Sequence, residues 1–153
     1  MGYSDLIMQH IRVDDKSFYP WWDELTQLKA PVMIDVGMTG MGAGMPGGLG
    51  AKTRNAHPAS IDALAADFPD LTIIMSHPGY PWIDETTAVA LHKGNVFWEM
   101  SGWSPKYLPD SLKKDIRSRL KDKVMFGSDY PSIPRSEERR VGKERRSRWS
   151  PSP

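Results

Sequence analysis

The sequence predicts an α/β fold, part of a TIM-like parallel (β/α) barrel, and three observations carry that expectation. Three apolar runs deliver a chemically capable side chain into a Gly/Pro-bounded turn: Val32-Met33-Ile34 leads to Asp35, Ile73-Ile74-Met75-Ser76 to His77, and Val124-Met125-Phe126-Gly127-Ser128 to Asp129. A parallel barrel builds its active site from residues at the carboxyl ends of several strands, which is this pattern. The runs alternate with segments of helical period, as repeated βα units do. They are also continuously apolar, as expected for parallel strands covered on both faces. An open doubly wound sheet would show the same periodicity, so pattern alone leaves that architecture open.

About five strands are predicted, near Leu6 to Ile11, Val32 to Val36, Thr72 to Ser76, Val96 to Met100 and Val124 to Phe126. Phe18, Trp21, Trp22, Leu25 and Leu28 mark one face of a first helix, with Pro20 suited to its first turn. Ile61, Leu64, Ala65 and Phe68 mark a second. Pro81 to Lys93 and Pro109 to Leu120 give a third and a fourth, the last with Leu112, Ile116 and Leu120 at intervals of four.

The chain has 153 residues, enough for one domain with a sizeable core, whereas a complete eight-unit barrel takes about 250. A partial barrel over residues 1–134 is therefore expected. The absence of cysteine excludes a disulfide framework and any thiolate metal site, leaving His and carboxylates as metal ligands. It fits a cytoplasmic setting. The start lacks a basic segment and no long apolar run follows, which argues against a signal peptide or a membrane span.

The formal charge of +1 conceals an asymmetry. Residues 135–153 carry seven Arg or Lys and three Glu, leaving 13 basic against 16 acidic residues in the remainder. This tail has almost no apolar residues and no period, and it resembles an in-frame translation of a sequencing adapter apart from Arg145 and the terminal Ser152-Pro153. It is expected to be a non-native basic tail outside the fold. The competing reading, a basic arm for nucleic acid, rests on its clustered Arg; no nucleic-acid partner is expected.

Between Gly37 and Gly50 the chain is rich in Gly and Met without helical period. So long a connection suits either a lid over the strand ends or a surface loop. Within it, Gly42-Ala43-Gly44-Met45-Pro46-Gly47 matches G-x-G-x-x-G, which in a nucleotide-binding α/β domain joins a strand directly to a helix. Here the motif starts several residues after Val36 and is followed by further glycines, against that alternative.

Each candidate site residue also has a structural reading. His77, before Pro78-Gly79, is suited to closing a strand, while Asp35 and Asp129 are suited to capping turns through backbone amides. Glu99 and Trp103 fit a pocket wall, the core or the surface. Lys52, Arg54 and Asn55 fit either an anionic substrate or a solvated loop. His57 and His92 read as ordinary helix-associated residues.

The segments Pro31-Val32-Met33-Ile34-Asp35-Val36-Gly37, Asp67-Phe68-Pro69-Asp70-Leu71, Met75-Ser76-His77-Pro78-Gly79, Asn95-Val96-Phe97-Trp98-Glu99-Met100-Ser101-Gly102 and Phe126-Gly127-Ser128-Asp129-Tyr130-Pro131 together resemble the amidohydrolase-related family of hydrolases, hydratases and aromatic-acid decarboxylases. The resemblance covers residues 3 to 134 and corresponds to the C-terminal part of that family's barrel. It implies a small organic acid as substrate and a divalent metal, commonly zinc, at the strand ends. It further implies His77 as a catalytic or substrate-polarising imidazole and Asp129 as a metal ligand or proton-transfer group. Arg54, Asn55 and Trp103 are the candidate substrate contacts. Zinc suits such ligands and lowers the pKa of bound water to about 7.

Two departures bear on the metal. Asp35 stands where the family most often has a metal-binding His and is, with Asp129, the expected metal ligand, coordinating through oxygen; the family's first-strand His-x-His or Glu-x-His pair has no counterpart. An incomplete metal site and an inactive fragment are therefore expected, with pairing into a homo-oligomer as one means of covering exposed strand edges.

Overall fold

The computed structural model describes residues 11 to 129. Four strands form one parallel sheet in sequence order: β1 (Val32–Asp35), β2 (Ile73–Ser76), β3 (Val96–Glu99) and β4 (Val124–Met125). Helix α1 (Tyr19–Gln27) precedes β1, and α2 (Pro58–Asp67), α3 (Ile83–His92) and α4 (Asp110–Ile116) supply the successive crossovers. This is the βα repeat expected from the sequence. The expected strand near Leu6 to Ile11 and the tail lie wholly or almost wholly outside the described residues. Among the described residues, no helix is long and apolar enough to cross a membrane.

Local chemistry sets the helix ends. Pro20 occupies the first turn of α1, and His57 caps α2, its Nδ1 accepting from the Ala59 amide at 3.1 Å. The last helix is shorter than its period suggested: α4 stops at Ile116 and residues 117–120 continue as turns, although Leu112, Ile116 and Leu120 are all buried as expected. The first helical stripe is narrower than expected. Phe18 and Trp22 enter the core, whereas Trp21 and Leu28 stand exposed at 50% and 67%. Trp21 instead meets Phe18 edge-on at 5.7 Å.

Strand register sorts the sheet's two faces, because residues paired across parallel strands point the same way and alternate along each strand. Ile34, Met75 and Trp98 form one fully buried row, joined by Ile73 and Val96, and pack into the core with Ile61, Leu64, Ala90 and Leu112. The opposite face carries Met33, Ile74 and Phe97, and beyond them the row Asp35, Ser76, Glu99 and Met125. Met33 is half exposed. The apolar runs thus reflect a sheet covered on one face by the described helices, not on both.

The segment from Gly37 to Gly50 begins tightly tied. The Gly37 amide donates to Ala56 O at 2.9 Å and the Met38 amide to Tyr80 O at 2.6 Å. Gly37 has φ +85°, and a Cβ there would stand 2.5 Å from the Gly79 carbonyl carbon, so the close approach of the two loops requires glycine. The G-x-G-x-x-G match opens no α-helix. It leads into a short 3₁₀ turn, Pro46–Gly50, whose Gly47, Gly48 and Leu49 have left-handed φ, and α2 starts only at Pro58. The nucleotide-binding alternative therefore lacks its strand–turn–helix setting.

Candidate active site

Parallel register places the chemistry at one end of the sheet. Asp35 ends β1, Glu99 ends β3, His77 follows β2 by one residue, and Asp129 lies four residues beyond β4. Asp35, Ser76 and Glu99 are register partners on the face away from the helices. These are the carboxyl ends of the strands, the end at which barrel enzymes build their sites.

His77 and Asp129 depart from ordinary backbone geometry, with φ of +70° and +60°. Residues held in the left-handed region cost about 1–3 kcal/mol each, and such strain clusters at functional sites. For His77 the restraint is visible: its carbonyl accepts from Trp98 Nε1 at 2.7 Å. The ring is thereby turned so that Nε2 lies 3.8 Å from Asp35 Oδ1, both side chains being half-buried. On the other side of the ring, Nδ1 lies 3.3 Å from both the carbonyl and the hydroxyl of Ser101.

Gly102 makes room for this packing. A Cβ at that position would stand 3.0 Å from His77 Nδ1 and 3.4 Å from Asp129 Oδ2, so both side chains lie against the bare α-carbon. The electrostatics are consistent with a compact group. Burial pushes the Asp35 carboxyl above its ordinary range, neighbouring His77 pulls it down, and Asp129 pushes it up.

The three residues expected to act together, Asp35, His77 and Asp129, are thus gathered at one place. The candidate substrate contacts divide. Trp103 is partly buried, with its ring 5.5 Å from that of Tyr80. Arg54 is exposed and lines an open cavity of about 520 Å³ with Ala51, Lys52 and Thr53. Asn55 is buried, and among the described residues its Nδ2 has no hydrogen-bond partner.

Glu99, which the sequence left undecided, is 6% exposed. Its Oε2 accepts from Ser101 Oγ at 2.6 Å and from Ser76 Oγ at 3.4 Å, while Oε1 has no partner among the described residues. A Cβ on Gly127 would come within 2.5 Å of Oε1, so the Gly127-Ser128-Asp129 turn accommodates Glu99 by lacking a side chain there. Alternation with Trp98, which enters the core, was the signal that Glu99 faces away from the helices, on the side it shares with Phe97.

A metal centre built by protein needs about three ligands converging on one point. Among the described residues no group of three His, Cys, Asp or Glu does so. Asp35 and His77 approach one another as two donors would, but these side chains do not fit a metal without ligands from elsewhere.

A family model described as Amidohydrolase matches residues 6–151. The chain belongs to the amidohydrolase family. Among solved structures, this amidohydrolase chain is similar to an uncharacterised TIM-barrel protein from Bordetella bronchiseptica, with 27% identity and a TM-score of 0.69 over 87% of this chain and 44% of that one. It is also similar to an amidohydrolase 2 from Bifidobacterium longum subsp. infantis, at 15% identity and TM-score 0.56, over 88% of this chain and 55% of that one. A 2,6-dihydroxybenzoate decarboxylase bound to 2,6-dihydroxybenzoate aligns at 15% identity and TM-score 0.50, over 90% of this chain and 56% of that one. The chain spans about half the length of these solved relatives, and its sheet is a partial TIM barrel. A search of curated proteins found no match.

Proposed function

We propose that this chain carries part of the active site of an amidohydrolase-family enzyme that hydrolyses, hydrates or decarboxylates a small organic acid. The observation that carries the reading is the gathering of Asp35, His77 and Asp129 at the carboxyl end of a parallel sheet, two of them on left-handed backbone. In this reading His77 Nε2, on the Asp35 side of the ring, takes or gives a proton at a bound substrate. Asp129 is the second proton-transfer group, and Arg54, on its exposed loop, meets the substrate carboxylate. The aromatic-acid decarboxylase among the structural relatives supports an aromatic carboxylate as the first substrate to try.

The family resemblance points to a divalent metal, with zinc the expected ion. Asp35 and Asp129, the ligands expected from the sequence, do not make up its site among the described residues, so zinc binding by the whole enzyme requires further ligands.

The reading is tested by titrating the 153-residue chain with 2,6-dihydroxybenzoate and benzoate while following the His77 imidazole resonances by NMR. Saturable shifts at His77 that vanish in Arg54→Ala are expected. Resonances that stay fixed through millimolar ligand would overturn the substrate assignment. Turnover by the chain itself is expected to be slight. In a chain that does turn over, His77→Asn should reduce the rate by about 10²–10⁴-fold, the usual contribution of a positioned acid or base.

A further inference from the structure

We propose that Glu99 is a positioning residue: acting through the Ser101 hydroxyl, it holds His77 with its proton on Nδ1 and the Nε2 lone pair turned toward Asp35. The inference rests on the reading of His77 as the proton-transfer imidazole and adds what fixes its tautomer.

The argument is a count of hydrogens. Ser101 Oγ carries one, and at 2.6 Å it is committed to the Glu99 carboxylate, an acceptor only. The same oxygen can then only accept from His77 Nδ1, 3.3 Å away. The other neighbour of Nδ1, the Ser101 carbonyl, also only accepts. Both partners therefore call for a proton on Nδ1, and the neutral ring leaves Nε2 bare.

Asp35 pulls the other way. Its Oδ1 stands 3.8 Å from Nε2 and would be better served by an Nε2–H donor. With Glu99 in place that tautomer would set two acceptors, the carbonyl and the hydroxyl oxygen, against a bare Nδ1. Without Glu99 the Ser101 hydrogen is free to turn toward Nδ1, and the balance tips to Nε2–H. Ser76 Oγ provides the carboxylate with a further, longer hydrogen bond, and Gly127 provides the space for its second oxygen. A buried carboxylate with so few donors among the described residues is costly for stability.

The test is the tautomer itself, read from long-range ¹⁵N–¹H spectra of the full chain labelled at its four histidines, above the pH range in which imidazole titrates. His77 is assigned by the resonance lost in His77→Gln. In the unsubstituted chain His77 is expected as the Nδ1–H tautomer; finding Nε2–H there would overturn the proposal without any variant. Glu99→Met, close in size but with no acceptor, is expected to move about half or more of His77 to Nε2–H. Ser101→Ala, which cuts the link while leaving Glu99, should move it in the same direction and covers the case in which Glu99→Met fails to fold. An unchanged Nδ1–H tautomer in a folded variant would overturn the role of Glu99. Expected tautomers together with a His77 that ignores benzoates would leave the positioning intact and remove only the substrate assignment.

Discussion

Asp35 is a carboxylate held where burial disfavours its charge. Desolvation and Asp129 raise its pKa above the ordinary value of 3.8, and His77 only partly offsets them. The folded state therefore binds the Asp35 proton more tightly than the unfolded chain does. The resulting penalty is absent below the ordinary value, grows as the pH rises through the interval up to the folded-state value, and is constant above it. Asp35→Asn should accordingly raise the Tm at pH 7, with the gain shrinking as the pH is lowered toward about 4. Thermal denaturation of both chains across that range is the check, and a lower Tm for the variant at pH 7 would show that the Asp35 anion is favoured where it lies. Asp35, His77 and Asp129 were legible from residue type and strand-end position. Glu99 was left undecided, because its importance comes from the hydrogen bond to Ser101 Oγ, which periodicity does not specify.

Register is the link from single residues to elements. His77 meets Ser101 across a sequence separation of 24 only because Ser76 pairs with Glu99, and that pairing depends on how β2 and β3 are started. Asn95, immediately before β3, supplies one such anchor. Its Nδ2 lies 3.3, 3.0 and 3.0 Å from the carbonyls of Ala65, Phe68 and Leu71, tying the end of α2 and the approach to β2 to the start of β3. Removing the amide leaves those part-buried carbonyls with one donor fewer, so Asn95→Ala should lower stability by about 1–3 kcal/mol, read as a smaller denaturant midpoint at unchanged m-value. Asn95→Asp, which turns an acceptor toward three acceptors, should cost more. The strands and helices were readable from apolar runs and helical spacing, while their ends were less so. The periodicity of α4 continues to Leu120, yet hydrogen bonding there passes into turns closed by Leu120 N on Asp115 O at 2.8 Å. Trp21 and Leu28 matched the α1 stripe by spacing alone, and no sequence rule states how wide a stripe the sheet will cover.

At the scale of the whole molecule, the four parallel strands among the described residues make about half of an eight-stranded barrel, in keeping with the share of the solved relatives that the chain spans. The α/β class and the parallel sheet followed from the alternation of runs and helices; that the described helices would cover one sheet face and not the other did not, because continuously apolar strands suit burial on both faces. On that face Met33 is 51% and Met125 38% exposed, next to partly buried Ile74 and Phe97. Among the described strands, β1 and β4 each pair on one side only. Exposed apolar side chains beside strands that pair on one side only among the described residues favour association with another chain. Sedimentation velocity over a range of concentrations should therefore show self-association of the purified chain. Met33→Lys, which places a charge at the centre of the exposed part of β1 without touching the helix-facing core, should shift the distribution toward monomer. A monomeric unsubstituted chain would mean that this face is satisfied within one molecule, and a Met33→Lys chain that associates as strongly would move the contact away from β1.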